Sequence, residues 1–304
     1  MIAETAIEFA SEGAVLRGRL VMPSPDVARR PAVIMAHGTS ATVEMVMIEY
    51  ARVFARAGFV ALVYDHRNLG RSDGEPRGEI NPWVQCRGYL AALDFASQRS
   101  EIDAGRIALW GDSYTGGQVV AVAACDPRPR AVVAQCPVFG AALPAPPPDA
   151  DFLAAFKHTL LHGNVAGTPE TTTGPLPVVS FDPSSIPSLL APIQAFRWFI
   201  DYGGRPGSGW FNRVSRVLPP TPVPYAPILC APFVRVPVLL MVAPEDEMVH
   251  ANVEVTRHAY GLLAGPKRWV DIDDGHFGLL YHPGARFDEA AGIQAAFLQQ
   301  LLLP

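Results

Sequence analysis

Short, fully apolar runs recur along this chain, and helix-prone stretches separate them. The clearest are residues 32–36 (AVIMA), 59–64 (FVALVY), 106–110 (RIALW), 131–138 (AVVAQCPV) and 236–242 (VPVLLMV). Parallel strands buried on both faces read this way, because neither face needs polar residues. Between them, residues 45–57 have helical spacing that Gly58 can end. Asn81-Pro82 opens a second helix running to about residue 98, with asparagine as cap and proline in the first turn. A helix is expected after Ser113, and the last one spans 287–303. A hairpin leads the chain: residues 6–9 and 15–22 flank the turn Ser11-Glu12-Gly13. Residues 268–272 form the expected final strand. Such alternation admits one broad class, an α/β fold with a doubly wound, mostly parallel sheet and helices on both faces. At 304 residues and 49% hydrophobic, the chain can bury a large core.

The rhythm breaks once. Residues 140–235 hold 17 of the 30 prolines and no strand–helix repeat. We expect a core domain made of residues 1–139 and 236–304, interrupted by an inserted, Pro-rich and partly helical cap at 140–235. The stretch from Pro144 to Pro148 reads as a linker-like entry to it.

Several function classes fall away on composition. A net charge of −5 gives no electrostatic case for nucleic acid. No run reaches the ~18 apolar residues of a membrane span. The N-terminal residues lack the basic and apolar regions of a signal peptide, so a cytoplasmic address is expected. Cys86, Cys125, Cys136 and Cys230 form no CxxC, and Cys125 and Cys136 are expected as buried thiols. His66, His158, His162, His250, His258 and His282 show no metal spacing, so no metal is expected. A small-molecule substrate is expected, with no nucleic-acid or membrane partner. The sequence leaves a homodimer open.

Chemistry concentrates at strand ends. "WGDSYTGG", residues 110–117, follows an apolar strand and precedes a helix. Gly111 and Gly116-Gly117 remove side chains where a strand must turn sharply into a helix, which holds Ser113 outward. Asp246 stands four residues past the strand ending at Val242, and His276 stands four past Ile272. Acyl transfer needs a held serine, a histidine to take its proton and a carboxylate to orient the histidine. A serine, an acid and a histidine thus follow three separate strands, in the order Ser…Asp…His. Glu245 and Glu247 are the nearest rivals to Asp246. Asp273 and Asp274 are too local to His276 for the usual geometry. The loop "AHGTSAT", residues 36–42, can bend toward Ser113, so the backbone N–H groups of Thr39 and Tyr114 are the expected oxyanion donors. His37 is expected to shape this loop, Asp65 and Arg67 to form a structural ion pair or loop brace, and Asp112 to face a loop or helix end.

With these motifs in place, the chain resembles the α/β-hydrolase superfamily over nearly its full length apart from the cap. "YDHRNLGRSDG", residues 64–74, looks like that family's D-x-R-x-x-G-x-S loop. Gly111-Asp112-Ser113-Tyr114-Thr115-Gly116 is similar to the G-x-S-Y-x-G elbow of the X-Pro dipeptidyl-peptidase and cocaine-esterase branch. It also resembles hydrolases related to dienelactone hydrolase and acetyl xylan esterase. Thr115 stands where the common G-x-S-x-G elbow has glycine. Residues 37–45 contain no tyrosine of the kind the cocaine-esterase relatives add to the oxyanion site. The resemblance implies the α/β-hydrolase fold and a serine hydrolase that needs no cofactor.

The expected activity is cleavage of carboxylic esters of small hydrophobic substrates, with Ser113 attacking and His276 acting as base. Its pH limb is expected at roughly 6 to 7. Thioesterase, amidase, lactonase and acyltransferase chemistry share the acyl-enzyme and stay open. A non-catalytic binding protein is disfavoured, because no position of the serine–acid–histidine set has been lost. A haloalkane dehalogenase would need aspartate at position 113. In the cap, residues 192–202 (PIQAFRWFIDY) form a helix with Ile193, Phe196 and Ile200 on one face and Trp198 and Tyr202 on the other. Both faces are expected to be covered, with Trp198 and Tyr202 either simply core or, together with Trp210 and Phe211, the wall of an apolar pocket above Ser113.

Overall fold

The computed structural model describes residues 1–24, 29–144, 149–167 and 173–303. Most of the linker-like stretch, residues 145–148, therefore lies outside the described residues. The chain opens with the expected hairpin, β1 (Ile2–Ser11) and β2 (Ala14–Pro23), which pair antiparallel through Ser11 and Ala14. Glu12 and Gly13 both take positive φ, as a two-residue hairpin turn with the right-handed strand twist demands. Then follow β3 (Arg30–Ala36), α1 (Ile48–Arg56), β4 (Val60–Tyr64), β5 (Glu79–Ile80), α2 (Pro82–Ser97), β6 (Ile102–Asp112), α3 (Tyr114–Cys125) and β7 (Pro129–Gln135). After β7 come α4 (Ala150–His162), β8 (Thr173–Leu176), α5 (Ile193–Gly203), β9 (Val214–Arg216) and α6 (Pro227–Cys230). The chain closes with β10 (Val238–Val242), α7 (Val253–Leu262), β11 (Lys267–Asp271), α8 (Gly275–Gly278) and α9 (Ala285–Leu302).

Eight strands form one sheet in the order β1-β2-β4-β3-β6-β7-β10-β11. Every pairing from β4 to β11 is parallel, and β2 alone runs antiparallel, to both β1 and β4. The two sheet faces carry separate cores. Along β3, Val33 and Met35 join one, and Ala32, Ile34 and Ala36 join the other. That period of two, with every residue apolar, is why helices must cover both faces. β11 departs from a buried strand: Lys267, Arg268 and Asp271 are exposed, which suits an edge strand that must resist pairing with another chain.

Several details differ from the sequence reading. The strand expected to reach residue 138 stops at Gln135, because Cys136 takes a positive φ of 39°. The helix expected from residue 45 begins at Ile48; Met45 and Val46 before it are non-helical. The cause is His37, whose Nε2 holds the Met45 carbonyl at 3.1 Å. Along α5, only one face is covered. Trp198 and Tyr202 are buried, whereas Ile193 and Ile200 are 43% and 44% exposed.

Residues 136–237 leave the main sheet and return to it. Within them β9 pairs with both β8 and β5 in a small three-stranded sheet. This ties the segment to the loop between β4 and α2. Among the described residues no helix is long and apolar enough to cross a membrane.

Candidate active site

Ser113 sits between β6 and α3 with φ 56° and ψ −116°, a conformation a non-glycine residue adopts only when its surroundings enforce it. The enforcement is visible. The Ser113 N–H donates to the Gln135 carbonyl at 2.8 Å, and its own carbonyl accepts from Gly116 and Val138. A Cβ on Gly111 would lie 2.3 Å from the Thr115 carbonyl oxygen, so the turn can close only over glycine. Thr115, the departure from the common elbow, fits because its side chain has work there. Its hydroxyl accepts from the Asp112 N–H at 2.9 Å and lies 2.9 Å from the Ala36 carbonyl, tying the elbow to the end of β3.

The structure brings Ser113, His276 and Asp246 together from three strand ends. Ser113 Oγ lies 2.9 Å from His276 Nε2, and His276 Nδ1 lies 2.7 Å from Asp246 Oδ2. The His276 and Asp246 side chains are 2% and 1% exposed. With Nδ1–H donating to the carboxylate, Nε2 presents its lone pair to the serine hydroxyl. Asp246 is itself fixed, since its Oδ1 accepts from the Met248 N–H at 2.8 Å. Glu247, a rival in the sequence reading, does not reach the imidazole. Its carboxylate accepts the backbone N–H of His276 at 2.9 Å and so fixes where the ring stands. Nothing in the sequence marks this role, because the contact spans 29 residues between two loops.

The electrostatics favour a charged imidazole more than expected. Burial alone would lower the His276 pKa. The charge and hydrogen bond of Asp246, helped by Asp112 and Glu247, outweigh it and raise the pKa above the ordinary histidine value. Asp112 lies just behind Ser113, buried, with Oδ2 3.1 Å from His37 Nδ1 and Oδ1 accepting from Gln135. His37 thus ties the β3 loop to both Met45 and the elbow. Asp65 braces its own loop by accepting from the Val43 and Arg71 N–H groups, but Arg67 is not its ion partner: the Arg67 Nε is buried without a hydrogen-bond partner.

Thr39 has a positive φ of 44° and lines the same cavity as Ser113 and Tyr114. The loop lies close: a Cβ on Gly38 would fall 2.4 Å from the Asp112 carbonyl oxygen and 2.7 Å from Ser113 Cβ. Tyr114 opens α3, so its N–H has no acceptor within the helix.

Above Ser113 is a cavity of about 250 Å³. Its apolar walls are Ile80, Val138, Leu176, Leu189, Leu190 and Met248, and Arg216 and His250 also line it. The four aromatics expected there do not wall it. Trp198 instead lines a crevice of about 20 Å³ together with Ser113, His276 and Phe277, and its indole N–H donates to the Leu280 carbonyl. Tyr202 exchanges hydrogen bonds with the backbone of His282. Trp210 packs on Phe199 and donates toward Ser40, and Phe211 is exposed. Large aromatics at helical spacing are more useful as core than as pocket lining, and here they became core.

Among the described residues, one group of three candidate metal ligands converges: Cys136, Asp246 and His276, with ligand atoms within 4.8 Å of one another. Asp246 and His276 already bond each other. Burial, then the Asp246 charge, pushes the Cys136 thiol pKa well up, and a neutral thiol is a poor ligand.

Residues 12–142 match the X-Pro dipeptidyl-peptidase (S15) family. A thiohydrolase of Arthrinium phaeospermum is 42% identical over 132 residues, 43% of this chain and 42% of that one. The match therefore spans less than half that relative's length. A thiohydrolase of Eupenicillium brefeldianum is 28% identical over 298 residues, 96% of this chain and 93% of the relative. Among solved structures, the α/β hydrolase GrgF from Penicillium superposes with a TM-score of 0.72 at 23% identity, covering 99% of each chain.

Proposed function

We propose that the chain, whose fold is that of the α/β hydrolases, is a serine hydrolase cleaving carboxylic esters through an acyl-enzyme. The observation that carries this reading is the unbroken line from Ser113 Oγ through His276 to Asp246, at 2.9 and 2.7 Å. Ser113 attacks the scissile carbonyl while His276 Nε2 takes its proton. Asp246 holds the tautomer and stabilises the imidazolium that forms. The N–H groups of Thr39 and Tyr114 receive the oxyanion. The imidazolium then gives its proton to the leaving alcohol, and water, activated by the same histidine, releases the acid. Residues 140–235 act as a cap in this reading, since Leu176, Leu189, Leu190 and Arg216 from that segment line the cavity.

Thioester hydrolysis is the second reading, favoured by the names of the two relatives, which are thiohydrolases. Both readings predict one fluorophosphonate adduct, on Ser113, and a loss on the order of 10⁶ in kcat for Ser113→Ala. Mass spectrometry of the labelled chain checks the first and steady-state kinetics the second. A panel of matched esters and thioesters separates the two readings. An adduct elsewhere, or full activity in the alanine variant, overturns both.

A further inference from the structure

We propose that Arg216 anchors a carboxylate carried by the substrate, so that the site selects half-esters of short dicarboxylic acids over neutral esters of equal length. This rests on the reading of Ser113 as nucleophile.

Arg216 is held firmly. It ends β9, pairs with Ile80 of β5 on one side and Thr173 of β8 on the other, and the next residue, Val217, donates to the Ile80 carbonyl at 2.8 Å. Its side chain lines the cavity that holds Ser113. Among the described residues it has no acidic partner within ion-pair distance, and its Nε is buried without a hydrogen-bond partner. Arg67 shares that orphaned Nε, but the cavity it lines also carries Glu12, Glu75 and Glu79. The lining of the Arg216 cavity includes no carboxylate. His250, on the same wall, does not add a second charge: burial and then the nearby Arg216 lower its pKa.

A guanidinium facing an apolar cavity without a counter-ion is costly unless a ligand supplies one. A carboxylate matches it best, because two parallel N–H···O bonds can form at once. Thr173 lines the same cavity, and its hydroxyl suits a remaining lone pair, whereas the Ser188 hydroxyl already donates to the Leu190 carbonyl at 2.9 Å. Ile80, Leu176, Leu189 and Leu190 ask for an apolar spacer between that carboxylate and the scissile carbonyl. The volume of about 250 Å³ keeps the spacer short, since pockets for drug-sized ligands run ~300–1,000 Å³. Hydrolysis adds water across the ester bond and releases an alcohol and the dicarboxylic acid.

The test is a series of monomethyl and dimethyl esters from succinic to suberic acid, assayed on the full chain. The wild type should prefer the half-ester at one length within the series. Arg216→Gln should lower kcat/KM on that half-ester about ten- to a hundredfold, the range of a hydrogen bond to a charged group. The loss on the diester should be much smaller, and an unchanged Tm shows that the variant is folded. Arg216→Lys should recover part of the loss. Equal losses on both ester classes, or no wild-type preference, overturn the proposal. Adipate should inhibit diester turnover more strongly than inorganic phosphate; equal inhibition overturns the assignment to a carboxylate. Should Ser113 take no fluorophosphonate label and no ester turn over, the nucleophile reading fails. Calorimetric binding of adipate to the intact chain then decides the anchor alone: loss in Arg216→Gln supports it, and unchanged binding overturns it.

Discussion

His276 sets the pH response. Its imidazole must be neutral to take the Ser113 proton, and its pKa is raised above the ordinary value of about 6.5 by the carboxylates around it, against burial. The rising limb of kcat/KM should therefore have its midpoint above that of an unperturbed histidine. Asp246→Asn should cost about 10⁴-fold, as loss of the orienting carboxylate does in other triads, and the residual activity should titrate at lower pH because the main raising charge is gone. Glu247→Gln should cost far less, since Glu247 holds the backbone of His276 and not its ring. pH–rate profiles of the three proteins check this. A crippled Glu247→Gln beside a near-normal Asp246→Asn would reverse the roles. Ser113, Asp246 and His276 were legible in the sequence because each follows its strand within a few residues, so local pattern sufficed. Arg216 and the Glu247 grip were not: each gains meaning only from residues of remote elements.

Helix α5 shows the limit of periodicity at the next scale. A spacing of 3.6 identifies two apolar stripes but not which of them the fold covers. The structure buries Ala195, Trp198, Phe199 and Tyr202 and leaves Ile193 and Ile200 exposed. The reason lies outside the helix: Trp198 and Phe199 meet Phe277 beside His276, with ring centroids 5.5 and 6.3 Å apart. α5 thus supports the short helix that carries His276. Trp198→Ala should destabilise the chain by about 3–5 kcal/mol, lowering Tm by roughly 10 °C. The acyl-length optimum should stay where it is, because the indole does not line the substrate cavity. Calorimetry and an acyl-length series check both halves, and a shifted optimum with unchanged Tm would return Trp198 to the pocket wall. The strands of the main sheet were far easier to read, since an unbroken apolar run has no second face to choose.

For the whole molecule, two buried groups beside the β4 loop make stability depend on pH in opposite directions. His66 is packed against Tyr64 and Tyr89, and burial, helped by His37, pushes its pKa down to about 3. Unfolding between pH ~6.5 and ~3 lets it take up a proton the folded chain refuses, so its contribution is full above 6.5 and lost as pH falls. Burial pushes the Asp65 pKa up to about 6. The folded chain then holds that proton between about 4 and 6, and stability from Asp65 falls as pH rises through that window. The two partly cancel in the wild type. Removing one exposes the other: His66→Gln should gain on the wild type by up to about 1.4 kcal/mol for each pH unit below 6.5. Urea melts of both proteins from neutral to acid pH measure this, and a pH-independent difference would mean His66 does not titrate as described. The same scale governs how the site comes into being. β7 pairs with β10 across more than a hundred residues, through partners such as Val132 and Val238. His276 lies 163 residues after the serine it bonds. On a ribosome, the strand and helix that pin Ser113 emerge roughly ten to thirty seconds before the histidine does. Through that interval the Ser113 hydroxyl has no imidazole to bond, and the pair can form only after the last strand has joined the sheet.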